Sequence, residues 1–162
     1  MTVYEDQVLS PRGGEGIYAW VDVQDAAAVV AVTAEEEIVL VGQARYPIEE
    51  YSWEIIEGGI EENEDPLETA RRELLEEGGI TAESIEPLGP VYHMANTRSR
   101  ELVYIFLARG LTFDNNDPDD TELLTIKRVP VDEFFELVDR GVIRDSISVV
   151  AAHRYRDLLR KG

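Results

Sequence analysis

Two β-prone apolar runs separated by four residues constrain the fold more than any other feature of this chain. Ala26–Thr33 (AAAVVAVT) and Ile38–Gly42 (IVLVG) flank the polar connector Ala34–Glu37, a pattern that predicts a hairpin of two strands. Ile17–Val23 alternates apolar and polar residues as a half-buried strand does, after a polar, glycine-containing stretch over Ser10–Gly16. Further strands are expected at Trp53–Ile56, Ile85–Tyr92, Leu102–Ala108 and Leu123–Val129, with a turn at Gly58–Gly59. Helices are expected over about Asp65–Glu77, Val131–Arg140 and Ser146–Leu159, the first stopped by Gly78–Gly79 and the second by Gly141. Strands with interspersed helices predict an α+β sandwich on a mixed sheet. The length, 162 residues, fits a single domain with its own core.

Charge narrows the function classes. With 34 acidic and 15 basic residues the net charge is −19, which repels nucleic acid. The lysines are Lys127 and Lys161 and every other cation is an arginine, a balance that fits either adaptation to high salt or a merely acidic protein. There is no cysteine, which excludes disulfides, thiolate metal sites and a cysteine nucleophile. No apolar run reaches the roughly 18 residues of a membrane span, and the start MTVYEDQVLS lacks signal-peptide character, so the expectation is a cytoplasmic protein without membrane contact.

The chemistry concentrates in Gly58–Ile80, GGIEENEDPLETARRELLEEGGI. Asp65 and Pro66 suit a helix start, and Leu67, Ala70 and Leu74 form a stripe that must pack on the sheet. Glu73, Glu76 and Glu77 fall at i, i+3 and i+4, so their carboxylates crowd the border of that stripe, while Arg72 is spaced to pair with Glu68 or Glu76. Like charges so arranged repel and call for a cation. Oxygen donors without a nearby His or Cys favour a hard divalent ion, Mg²⁺ first and Mn²⁺ second, which characteristically takes further ligands from substrate phosphates.

Gly58, Glu64, Arg72-Glu73-Leu74, Glu76-Glu77 and Gly79-Ile80 stand at the spacing of the Nudix box, and on these residues the chain resembles the Nudix hydrolases. The resemblance implies an α/β/α sandwich in which the box, residues 58–80, forms a loop–helix–loop. It also implies hydrolysis of a nucleoside diphosphate linked to another moiety, with Mg²⁺ or Mn²⁺. Carried over residue by residue, Glu73, Glu76 and Glu77 are metal ligands, Glu73 and Glu77 the inner pair, and the main-chain carbonyl of Glu57 a further one. Gly58, Glu64, Arg72 and Gly79 are structural. The common Pro-Ala-Gly before the helix loop is replaced by Ile56-Glu57-Gly58.

Gln43-Ala44-Arg45-Tyr46-Pro47, Tyr51-Ser52-Trp53-Glu54 and Gly141-Val142-Ile143-Arg144-Asp145 resemble the ADP-ribose and nucleotide-sugar pyrophosphatase branch. In that branch Arg45 would contact phosphate, a task that suits a forked guanidinium. Ala95 and Asn96 occupy the region where ADP-ribose-specific members carry a proline, which leaves related nucleotide sugars open beside ADP-ribose. A carboxylate from a later loop would take the proton of the attacking water: Glu122, with Asp120 second. Glu54 and Glu101 are further candidates for metal or water contacts, and Arg98 and Arg100 for anion binding. Tyr18 and Trp20 are candidates to stack on the base, or else core residues. His93 and His153 read as structural. The branch forms dimers, and the N-terminal region, residues 1–23, could reach a partner subunit. Two other readings stay open: a Nudix hydrolase of dinucleoside polyphosphates, coenzyme A or oxidised nucleotides, and a non-catalytic nucleotide-sensing module.

Overall fold

A computed structural model describes residues 1–113 and 124–161. The chain forms β1 (Thr2–Leu9), β2 (Glu15–Asp22), β3 (Ala26–Ala31), β4 (Glu37–Arg45), β5 (Glu50–Glu54), β6 (Ile56–Gly59), α1 (Pro66–Gly78), β7 (Ile80–Pro87), β8 (Tyr92–His93), β9 (Leu102–Phe113), β10 (Thr125–Pro130), α2 (Val131–Asp139) and α3 (Ser146–Leu159). A mixed sheet runs β6-β3-β9-β7, with β8 on β9, and β3 and β9 are parallel. An antiparallel sheet runs β10-β4-β5, and β1 pairs with β2.

The period of two in β3 and β4 builds the sandwich. Ala27, Val29, Ala31, Val39 and Val41 face one way and pack with Ala70 and Leu74 of α1. Ala28, Val30, Val32, Ile38 and Leu40 face the other and pack with Phe134, Ala151, Ala152 and Tyr155 of α2 and α3. Both faces are covered, which is why these strands read as continuous apolar runs rather than alternating ones. The result is the expected α/β/α sandwich.

Several elements depart from expectation. β3 and β4 are not a paired hairpin: beyond one bridge between Val32 and Ile38 they part into different sheets. Each strand already has both edges taken, β3 by β6 and β9, β4 by β10 and β5. Gly58–Gly59 is not a turn but the end of β6, paired with Ala27 and Ala26. The strand expected at Ile85–Tyr92 runs instead over Ile80–Pro87, directly after the helix stop, because its polar outer residues pair along the extended β9, and Tyr92 belongs to the separate β8. The N-terminal strand region, residues 1–23, holds a strand β1 besides the expected one at Ile17–Val23; every residue of β1 is exposed, so no buried face marks its bounds. Residues 114–123, with Leu123 at the start of the strand expected over Leu123–Val129, lie outside the described residues. No helix among the described residues is long and apolar enough to cross a membrane.

Candidate active site

The box helix is set by its ends. The Asp65 side chain accepts from the Leu67 amide at 2.9 Å, Pro66 opens the first turn, and Gly79 closes the helix in the left-handed region at φ 58°. That rotation puts Glu73 and Glu77 on the buried side against β6, while Glu76 faces outward with its side chain 58 % exposed. The glycine of β6 makes room: a Cβ on Gly58 would stand 1.9 Å from Glu73 Oε1. The Glu57 amide donates to Glu77 Oε2 at 3.2 Å, tying the strand to the helix.

Arg72 braces the loop. It donates through Nε and Nη2 to the two oxygens of Glu64, both at 3.0 Å, and through Nη2 to the Gly59 carbonyl at 2.9 Å. Its Nη1 reaches Glu73 Oε1 at 2.6 Å and Glu76 Oε2 at 2.9 Å. The spacing left Glu68 or Glu76 open as partner of Arg72; Glu68 instead lies 3.7 Å from Arg71. The Arg72 bond, with the Glu61 amide, holds the Glu64 carboxyl down to about 2. Burial pushes the Glu73 carboxyl up, aided by Glu76 and Glu64 and opposed by Arg72.

Across β6 a cleft of about 550 Å³ opens between the β4–β5 hairpin and the residues leading into α3. Arg45, Glu54 and Glu57 line it, with Arg144 and Asp145 opposite. Arg45 Nε donates to Glu54 at 3.1 and 3.2 Å, its Nη2 also bonds Glu54, and Nη2 lies 3.8 Å from Glu57 Oε1. The Glu54 bond raises the Arg45 pKa further. Burial, then the charges of Asp145 and Glu54, drive the Glu57 carboxyl well above its usual range against the pull of Arg45. Its Oε2 is shielded from solvent and has no hydrogen-bond partner among the described residues. Arg144 pairs with Glu50 at the rim.

Asp145 and the Glu57 side chain are the site residues that sequence reasoning missed. The available signal was Asp145-Ser146-Ile147-Ser148, a helix start in which Asp145 accepts from the Ser148 amide at 2.7 Å. Ser148 Oγ in turn accepts from the Ile55 amide at 3.0 Å, which brings the start of α3 against the β5–β6 link.

Tyr18, Trp20 and Arg98 lie elsewhere, in a second cleft of about 350 Å³ with Asp6, Asn96 and Thr97. Neither aromatic belongs to the core: Tyr18 donates to the Thr97 carbonyl at 2.6 Å, and Trp20 donates to Asp6 at 2.7 Å while stacking on Tyr4 at 4.4 Å. Arg100 pairs with Asp22 at 3.0 Å. Glu101 sits by Asp25, its carboxyl raised first by burial and then by that charge, and it does not line the acidic cleft. His93 and His153 are exposed rather than part of the core. Glu122 and Asp120 lie outside the described residues.

The donors around β6 are all oxygen, which suits a hard divalent cation. As they stand, no three acidic side chains among the described residues converge closely enough to enclose one. Two guanidinium groups take the cation's part, Arg72 on Glu73 and Glu76, Arg45 on Glu54. The orphaned Glu57 oxygen and the buried Glu73 carboxylate are oxygen donors that fit such a cation.

A NUDIX domain model matches residues 22–148. The chain belongs to the NUDIX family. This NUDIX protein is 34 % identical over 148 residues to the methanol dehydrogenase activator of Bacillus methanolicus, covering 90 % of this chain and 80 % of that one. It is 32 % identical over 151 residues to the ADP-ribose pyrophosphatase of Bacillus subtilis, covering 92 % and 81 %. A crystal structure of an ADP compounds hydrolase superposes with a TM-score of 0.84 at 23 % identity, covering 98 % of this chain and 86 % of that one, which establishes the shared fold. The chain is thus a Nudix pyrophosphohydrolase similar to ADP-ribose pyrophosphatase. Nudix hydrolases act on nucleoside diphosphate-linked compounds and generally use a divalent metal.

Proposed function

We propose that this enzyme hydrolyses the diphosphate of ADP-ribose or a related nucleotide sugar, with Mg²⁺ or Mn²⁺, to a nucleoside monophosphate and a sugar phosphate. The observation that carries the reading is the pair Glu73 and Glu77, buried against the backbone of β6 beside a glycine that leaves their space open. Such placement of charge is unfavourable in a purely structural helix and serves a site that takes a cation. Glu73, Glu76, Glu77 and the Glu57 carbonyl would hold the metal. When bound, a divalent metal neutralises the diphosphate and lowers the pKa of a water.

The chain's own residues do the rest. Arg72 fixes the rotamer of Glu73 through Nη1 while its Nε and Nη2 hold Glu64, so the carboxylate is positioned before substrate arrives. Arg45, at the mouth of the acidic cleft, supplies a forked donor for a phosphate oxygen. Glu122, with Asp120 second, would accept the proton of the attacking water. The separate cleft of Tyr18, Trp20 and Arg98 offers an aromatic and cationic surface for the base.

The enzyme acts as a homodimer in this reading. A two-stranded hairpin is marginal alone, and β1–β2 presents Val3, Val8, Leu9 and Ile17 to solvent, a surface suited to a second copy. The test is an assay with Mg²⁺ against ADP-ribose, ADP-glucose, GDP-mannose, UDP-glucose, a diadenosine polyphosphate and coenzyme A, with products identified by mass. AMP and ribose 5-phosphate from ADP-ribose, or the matching pair from a nucleotide sugar, is the expected result. Turnover confined to the polyphosphate or coenzyme A would overturn the substrate assignment.

A further inference from the structure

The Glu57 side chain has no part in the reading above, which uses only its main-chain carbonyl. It stands where the common box has alanine, and its carboxylate lies at the floor of the acidic cleft. Oε2 is shielded from water and accepts no hydrogen bond among the described residues, and Oε1 is 3.8 Å from Arg45 Nη2, beyond hydrogen-bond reach. The charges around it are Glu54, Glu77 and Asp145 on one side of the balance and Arg45 on the other. Arg45 is itself engaged by both oxygens of Glu54. A carboxylate enclosed without a donor is costly, and one surrounded by three more is costlier still. Nothing structural is gained by it: alanine would fill the same strand position with no charge to bury.

We propose that the Glu57 side-chain carboxylate, with Glu54, binds a divalent cation on the Arg45 side of the cleft, and that the cation enters by displacing the Arg45 guanidinium. The proposal rests on the pyrophosphatase reading and extends it, adding a side-chain donor that the box pattern does not contain. The exchange replaces one positive charge by two in a pocket with an excess of carboxylates. It also frees Arg45 at the mouth of the same cleft, so that cation loading makes a forked anion donor available to a diphosphate. Cation and diphosphate then bind with positive coupling, and each strengthens the other equally.

The test is Mn²⁺ binding to the metal-free full chain without substrate, read as the loss of the free Mn²⁺ paramagnetic resonance signal. The variants are Glu57→Ala, Glu57→Gln, Arg45→Ala and Glu77→Gln, each with a thermal melt. Both Glu57 variants are expected to lose one class of Mn²⁺ sites or weaken it at least tenfold, at unchanged or higher Tm. Arg45→Ala is expected to bind Mn²⁺ several-fold more tightly, because the competing cation is gone. Isotherms of both Glu57 variants that superimpose on wild type, with Glu77→Gln weakened, would overturn this proposal and leave the pyrophosphatase reading standing. Unchanged or weaker binding in Arg45→Ala would overturn the displacement. A wild-type chain that takes up no Mn²⁺ would overturn both the proposal and the metal-dependent reading.

Discussion

Gly58 and Glu73 occupy one space between them: the carboxylate of Glu73 fills the volume that any side chain on residue 58 would need, with Oε1, Cδ and Oε2 at 1.9, 2.0 and 2.5 Å from a Cβ built there. The clashing atoms are the far end of a long side chain, so the fold can yield where the site cannot. Gly58→Ala is expected to leave Tm nearly unchanged while swinging Glu73 away from β6. Misplacement of that kind costs about 10²-fold in turnover. Steady-state kinetics beside a thermal melt checks this, and full activity in Gly58→Ala would show that the contact is idle.

Arg72 ties three carboxylates and a carbonyl to one guanidinium. Removing it strands Glu73 beneath the loop without its counter-charge. With Arg72 25 % exposed and Glu73 11 %, the loss falls below that of a fully buried pair, about 1–3 kcal/mol. Urea unfolding of Arg72→Ala at low salt measures it. Arg72→Lys is expected to recover only part, because one ammonium cannot span both Glu64 oxygens and the Gly59 carbonyl.

The acidic groups pull stability in opposite directions with pH. Glu57 and Glu73 have raised carboxyl pKa values in the fold, so the folded state binds their protons more tightly than the unfolded chain. Their contribution is present below the unfolded value and is lost as pH rises through the folded one. Glu64, held down to about 2, contributes stability above its unfolded value that is lost as pH falls toward 2. Metal-free protein is therefore expected to be more stable at mildly acidic pH than at neutrality, then to lose stability on further acidification. A denaturation series across pH, with and without Mn²⁺, checks the sign, and the cation should flatten the rise toward mild acid.

Self-repulsion at a net charge of −19 weakens the compact state and is screened by salt. Tm is expected to rise as NaCl goes from low millimolar to molar. A flat or falling melting profile would rule out adaptation to high salt.

Much of this was legible in the chain itself. The box helix announced both ends through Asp65-Pro66 and Gly79, and its i, i+3, i+4 glutamates marked one border; these are local signals, read within a few turns of chain. Which sheet β3 and β4 would join was not legible. Their partners β9, β10 and β6 are chosen by pairing over long sequence separations, β5 alone joining β4 as a local hairpin, and the short connector between β3 and β4 looks like a hairpin turn. The bounds of β1 within the N-terminal strand region were not legible, because a strand that buries nothing need not alternate. Asp145 came to Glu57 only through folding, by way of a hydrogen bond between Ile55 and Ser148, 93 positions apart. Glu57 itself was visible as a departure from the box, but a residue type alone does not tell whether its side chain turns inward.

Glu77→Gln keeps the shape of a buried side chain and removes its charge, which isolates what the glutamates of the box helix do. With Mg²⁺ and the nucleotide sugar on which the wild-type chain proves active, turnover is expected to fall by roughly three orders of magnitude, about 4 kcal/mol in the barrier, at an unchanged circular dichroism spectrum and Tm. Equal turnover in the variant and the wild type would contradict the account, because the buried glutamates of the box helix would then have no part in the chemistry.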